Sequence, residues 1–219
     1  VPTADFHGSE YVGEYFKARE YMTGFTGSAG TAVILQDEAG LWTDGRYFIQ
    51  AAKQLEGSGV TLYRMGEEGV CTVTEFIRDK LKENGSIGCD GRVLCAKTGE
   101  EYRKIAEERH GTLKAEEDLV DLIWTDRPPL SKEPVFLLEE KYAGESIDAK
   151  LEKVREQMKV EHADSHILSS LYDIAWLLNV RGNDIAYVPV VLSYLLLTEQ
   201  TCIWFLQEDI LTDRKSTRL

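Results

Sequence analysis

Apolar and polar positions alternate along the chain with two different periods, and the switches between them divide it into short elements. Tyr11, Val12, Tyr15 and Phe16 recur at helical spacing and predict a helix over 9–19. A glycine loop (Gly24, Gly27, Gly30) leads into an apolar run over 31–35, read as a buried strand. A turn over 37–40 and a returning strand over 41–43 complete a hairpin. Phe48, Ala51, Ala52 and Leu55 predict a helix over 46–55 with Asp44 placed to cap it, and 60–65 reads as a strand. Thr72 with Glu75, and Thr98 with Glu101, have the spacing of capping boxes and predict two helices flanking a short strand over 86–89. A closing helix over 116–124 is expected to stop at Arg127-Pro128-Pro129.

The second half reads in the same way. Ile147, Leu151, Val154 and Met158 mark a long amphipathic helix, followed by a strand over 166–169 and a helix over 171–180. Strands over 193–198 and 202–206 enclose a tight turn. Both halves run helix, glycine turn, apolar strand, short turn and Trp-bearing strand, with Trp42 and Trp204 in corresponding places. The pattern implies two related α/β domains with mixed sheets flanked by helices. The first spans 1–128, a Pro-rich linker covers 129–142, and a partial second domain spans 143–209. By analogy with the first copy, the second should continue after Leu206 into a helix and further strands. The opening Val1 suggests that a piece is missing upstream. The polar, basic stretch 210–219 is set aside as a non-native or frayed tail.

Composition narrows the function classes. The 219 residues are 43% hydrophobic and 29% charged, enough for a proper core. A net charge of -13 with no basic stripe disfavours nucleic acid as a partner. Cys71, Cys89, Cys95 and Cys202 make neither a metal-type pair nor a secreted framework, and scattered thiols fit a reducing compartment, the cytoplasm. The longest apolar-rich run, 188–197, is too short to span a bilayer, so no membrane partner is expected.

Candidate chemistry is sparse. Gly24-x-x-Gly27-x-x-Gly30 leaves a helix for a strand, the reverse of a phosphate-binding turn, so a helix C-cap explains it better. His162 and His166 are four apart but run into a strand, and they lack the Glu of a zinc-helix motif. The carboxylates sit at helix starts and in loops, where they offset the helix dipole. Ser28 precedes a strand rather than occupying a strand-to-helix elbow. Neither a catalytic nor a metal-ligating residue is assigned. Thr43-Asp44-Gly45-Arg46 passes from strand to helix, where Arg46 is either part of a helix start or a group displayed at an interface or cleft.

The segments Pro2–Tyr11, Thr23–Ala32, Leu41–Tyr47 and Ile123–Pro128 resemble the front of the three-domain Xaa-Pro aminopeptidases. In the second half, Asp173–Asn179, Arg181–Asp184 and Val191–Tyr194 are similar to that family's second domain. The resemblance implies two tandem creatinase/prolidase N-terminal-like domains, the second truncated. It further implies a parent enzyme that removes an N-terminal residue preceding proline. Two divalent metals, expected to be manganese, would lie in a missing C-terminal catalytic domain, and this chain would hold no cofactor and be inactive alone. The implied partners are that domain, a second copy in a homodimer, and a peptide with proline at its second position. The same resemblance makes Arg46, and less directly His7, candidates for the wall of the substrate cleft. A stand-alone binding or scaffold module on the same fold is the alternative.

Overall fold

The computed structural model describes residues 1–211, so residues 212–219 of the expected tail lie outside the described residues. The chain divides into two compact units, Val1–Pro129 and Leu130 onward.

In the first unit a short 3-10 turn at Glu14–Phe16 precedes α1 (Ala18–Thr23). The predicted helix over 9–19 is therefore displaced toward the C-terminus. Phe6 and Tyr15 instead pack edge-on against the buried Phe16, which uses the aromatic spacing for a cluster rather than a helical face. Gly24 ends α1 in the left-handed conformation (φ 72°) as its C-cap, in agreement with the reading of the glycine loop. The strand β1 (Thr31–Ile34) pairs antiparallel with β2 (Ala39–Thr43). After α2 (Phe48–Gln54), β3 (Val60–Arg64) returns parallel to β2, making a mixed sheet of order β1-β2-β3. Asp44 does not cap α2. Its carboxylate accepts from the Arg46 backbone N–H two residues on, and Tyr47 occupies the N-cap without a side-chain bond.

One face of this sheet buries Ala32 and Leu41 with Phe25, Ala51 and Leu55. On the other, Trp42 stacks on Tyr63 at 4.1 Å and meets Phe76 of α3 (Val73–Lys80) at 4.9 Å. Gly40 makes room for this stack, because a Cβ there would lie 2.7 Å from both the Trp42 and Tyr63 rings. Thr72 and Glu75 form the predicted capping box of α3. Beyond it lie β4 (Ser86–Gly88), α4 (Ala96–Glu107) and β5 (Thr112–Lys114), with β4 and β5 parallel. The second expected capping box does not form, because α4 begins two residues before Thr98 with Cys95 as its N-cap.

No helix covers 116–124. Asp118 accepts from the Val120 backbone N–H, and the segment runs in turns. Arg127 holds it there, donating to Asp118 at 2.5 Å, to Asp121 at 3.1 Å and to the Tyr15 carbonyl at 2.8 Å.

In the second unit β6 (Phe136–Leu137) and α5 (Glu140–Ala143) lie inside the Pro-rich stretch. The amphipathic helix α6 (Ile147–Val160) and strand β7 (Ser165–Leu168) follow. The next helix, α7 (Leu171–Leu177), is shorter than predicted. Asn179 turns left-handed at φ 50°, and β8 (Val180–Arg181) pairs back with β6. Finally β9 (Ser193–Thr198) and β10 (Cys202–Leu206) form a hairpin in a sheet of order β10-β9-β7. Its inner face buries Leu195 and Leu197 against Leu151 and Met158 of α6 and Ile174 and Leu177 of α7.

Each unit buries a cation among carbonyls. Arg19 donates to Thr3 Oγ1 at 2.6 Å, to the Phe25 carbonyl at 2.8 Å and to the Gly27 carbonyl. Burial lowers its pKa to about 10, so it remains charged at neutral pH. Lys150 of α6 donates to the Trp176 carbonyl at 2.9 Å and to Asn179 Oδ1 at 2.6 Å. Replacing Arg19 by Met keeps the apolar stem but leaves two buried carbonyls unpaired. The expected loss is about 3 kcal/mol of stability in urea unfolding followed by tryptophan fluorescence. A loss below about 1 kcal/mol would show that the corner does not need the cation.

Candidate functional site

The first unit carries a groove of about 410 Å³ beside the mouth of the β1–β2 hairpin. One wall is the segment Gly8–Glu10, another is Ser28–Thr31 of the glycine loop, and Thr43 and Asp44 form the floor as β2 ends. Each wall is pinned by local chemistry. Asp5 is buried, and its Oδ1 accepts from the backbone N–H groups of His7 at 2.8 Å and Ser9 at 2.9 Å. The Asp5 Oδ2 is buried and unpartnered among the described residues. Thr43 Oγ1 donates to the Ala29 carbonyl at 2.7 Å, and Ser28 Oγ lies 2.7 Å from the Tyr47 hydroxyl. The glycine loop is thus tied to β2 and to the start of α2.

Arg46 stands at the rim with its side chain 61% exposed. Its Nε and Nη2 meet the two Asp44 carboxylate oxygens at 2.9 Å each, a bidentate pair. Nη1 lies 3.8 Å from Glu10 Oε1, and the guanidinium sits over the Tyr47 ring at 5.3 Å. Hydrogen bonding from Arg46 holds the Asp44 carboxyl below its ordinary range. His7 belongs to the same wall, since its backbone is fixed by Asp5 one residue before the lining begins. Both cleft candidates therefore border one groove, Arg46 through its side chain and His7 through its segment. With Glu10 and Asp44 set against a single guanidinium, this rim carries more carboxylate than cation.

Sequence reasoning did not single out Asp5. A signal was present, since an Asp followed by Phe-His-Gly-Ser matches a side chain folding back on N–H groups two and four residues on. His162 and His166 stay apart from this region: His162 follows α6 with φ 55°, and His166 lies in β7. Among the described residues no group of three or more His, Cys, Asp or Glu side chains converges as a metal site, so the residues present do not fit a dinuclear centre. Nor is any helix among them long and apolar enough to cross a membrane.

Comparison with known families decides the relationship. The creatinase/prolidase N-terminal domain matches twice, over residues 15–123 and over residues 126–219. The chain belongs to the creatinase/prolidase N-terminal domain family. Its two tandem domains, each mixed α/β, are those the sequence resemblance implied. Aminopeptidase P1 of Arabidopsis thaliana is 38% identical over 99% of this chain, and a probable Xaa-Pro aminopeptidase P of Neurospora crassa is 41% identical over 97%. The chain spans about a third of the length of these curated relatives, 33% and 31% respectively. Among solved structures it is similar to the X-prolyl aminopeptidase of Caenorhabditis elegans, described as a cytosolic enzyme with a di-nuclear active site. That likeness has a TM-score of 0.89 and 34% identity, covering 97% of this chain and 35% of the other.

The Asp44–Arg46 pair of this creatinase/prolidase domain has a definite pH signature. The folded Asp44 pKa lies below the unfolded value, so the pair contributes above the ordinary aspartate range and is lost as pH falls through the depressed folded value. The exposed position makes its effect on global stability small. Carboxyl carbon NMR should show Asp44 titrating below 3.8, and Arg46→Ala should return it toward that value. An unchanged midpoint in the variant would mean that the pair does not form in solution.

Proposed function

We propose that this chain is the non-catalytic N-terminal part of a cytoplasmic, metal-dependent Xaa-Pro aminopeptidase. The parent enzyme removes the residue that precedes proline at a peptide's N-terminus. The observation that carries the reading is coverage: relatives named as Xaa-Pro aminopeptidases align with nearly all of this chain, yet the chain spans only about a third of them. In this reading a C-terminal domain holds two divalent metals, expected to be manganese, and supplies the chemistry. The chain's own residues supply none of the ligands and no step of hydrolysis. The N-terminal domains contribute to a homodimer and to the walls of the substrate cleft.

Arg46 is the side chain of this chain best placed to border that cleft, with His7 on the neighbouring wall. Its bidentate hold on Asp44 orients the guanidinium at the groove rim, and its exposure leaves the remaining N–H groups available to a peptide. An interaction of this kind affects binding more than turnover, because Arg46 takes no part in breaking the bond.

Two measurements test the proposal. The purified chain should release no first residue from an Xaa-Pro peptide in the presence of manganese, and chelator-sensitive turnover would sink the assignment as non-catalytic. In the full-length enzyme, Arg46→Ala should raise KM by roughly five- to tenfold with kcat within about a factor of two. An unaltered KM would remove Arg46 from the cleft.

A further inference from the structure

The two units share one hairpin, and the structure gives its register. In the first, the Leu35 N–H donates to the Glu38 carbonyl and closes the turn; in the second, the Thr198 N–H donates to the Thr201 carbonyl. A constant shift of 163 positions carries Thr31, Leu35, Glu38 and Trp42 onto Tyr194, Thr198, Thr201 and Phe205, with every cross-strand pair preserved. The residue equivalent to Trp42 is therefore Phe205. Trp204, placed there on sequence, corresponds instead to Leu41 on the opposite face. The likeness extends to the other side of the hairpin. Val1 and Thr3 bond antiparallel along β1, and β7 pairs antiparallel with β9 in the same place.

Against this common frame the units differ in one respect. The Trp42 face of the first is closed: β3 lies parallel on the far edge of β2, α3 lies over the face, and Trp42 is 0% exposed between Tyr63 and Phe76. In the second unit β10, the counterpart of β2, is the edge of its sheet. Phe205 is 52% exposed, and the same face bears Ile203 at 44% and Ile167 at 70%. Ile203 stands where the first unit has Gly40, so this face offers two apolar side chains as anchors where the other offers a flat bed for a ring. Apolar side chains grouped on an unpaired sheet edge mark an interaction surface rather than a solvated one.

We infer that the Ile167–Ile203–Phe205 face and the free edge of β10 are the seat of a helix–strand–helix segment of the same polypeptide, following β10 as α2, β3 and α3 follow β2. The strand of that segment adds parallel to β10 with an apolar residue opposite Phe205, in the place of Tyr63. The second of its helices lays an apolar face over Phe205, in the place of Phe76. The repeat chooses this occupant over a second copy of the chain, because it specifies a parallel strand and a crossover helix. The size of the relatives accommodates it, since this chain spans only 31–33% of their length. The inference rests on the repeated hairpin and not on peptidase activity, and its readouts are independent of that activity.

The test compares the 219-residue chain with the polypeptide carrying the residues its gene encodes after Leu219. Phe205→Cys in each form is labelled with a maleimide and located by mass spectrometry. Labelling should be at least about tenfold slower in the longer form, with β10 amides slowed similarly in hydrogen exchange. Phe205→Asp should leave the Tm of the shorter chain within about 2 °C but lower that of the longer form by several degrees. Should the longer Asp variant not fold, the Cys labelling still decides. Equal labelling in both forms, a reading frame that closes at Leu219, or a dimer of the shorter chain that protects position 205 would each overturn the inference.

Discussion

Both units depend on the corner where a helix gives way to the sheet. The last carbonyls of a helix have no partner within it, and at such a corner they are too buried for water to serve them. Each unit answers with a buried cation. Arg19 reaches forward from α1 to the carbonyls of Phe25 and Gly27, and Lys150 reaches across from α6 to the end of α7. Asn179 completes the second corner, accepting from Lys150 and donating to the Glu145 carbonyl. A carboxylate partner would add a second charge to desolvate, whereas neutral carbonyls satisfy the donors without that cost. The strands that follow these corners can then enter the sheet in one orientation only.

From that fixed entry the hairpin register follows, and with it the division of apolar residues between two faces. A slip of one residue would exchange the faces. In the first unit the hairpin brings the glycine loop against the end of β2, and the groove forms where the two meet. The groove is thus a consequence of the corner and the register, and its rim residues inherit their placement from both.

The chemistry at that rim is that of recognition rather than catalysis. Arg46 is already bound on one edge by Asp44, so its orientation is set before any ligand arrives, which lowers the ordering cost of a further contact. The buried Asp5 does the same for the facing wall by holding two consecutive turns of backbone through one carboxylate oxygen. Rigid walls of this kind are what a neighbouring catalytic domain requires of a support.

Elements governed by nearest neighbours were legible in the sequence. The capping box at Thr72 and Glu75, the glycine C-cap at Gly24, the amphipathic α6 and the hairpin strands all follow from spacing, because the interactions that make them reach four residues or fewer. The exposure of Arg46 just after a strand was legible for the same reason. The tertiary structure alone decided the rest. Residues 116–124 have a helical pattern, but Arg127, anchored on the carbonyl of Tyr15 112 residues away, draws Asp118 and Asp121 out of it. The capture of Arg46 by Glu10, the pairing of β6 with β8, and the equivalence of Trp42 with Phe205 likewise depend on partners distant in the chain. Local spacing carries the energy of a helical turn or a hairpin. It carries no information about which distant donor will reach a carbonyl, and that choice is made only when the units close.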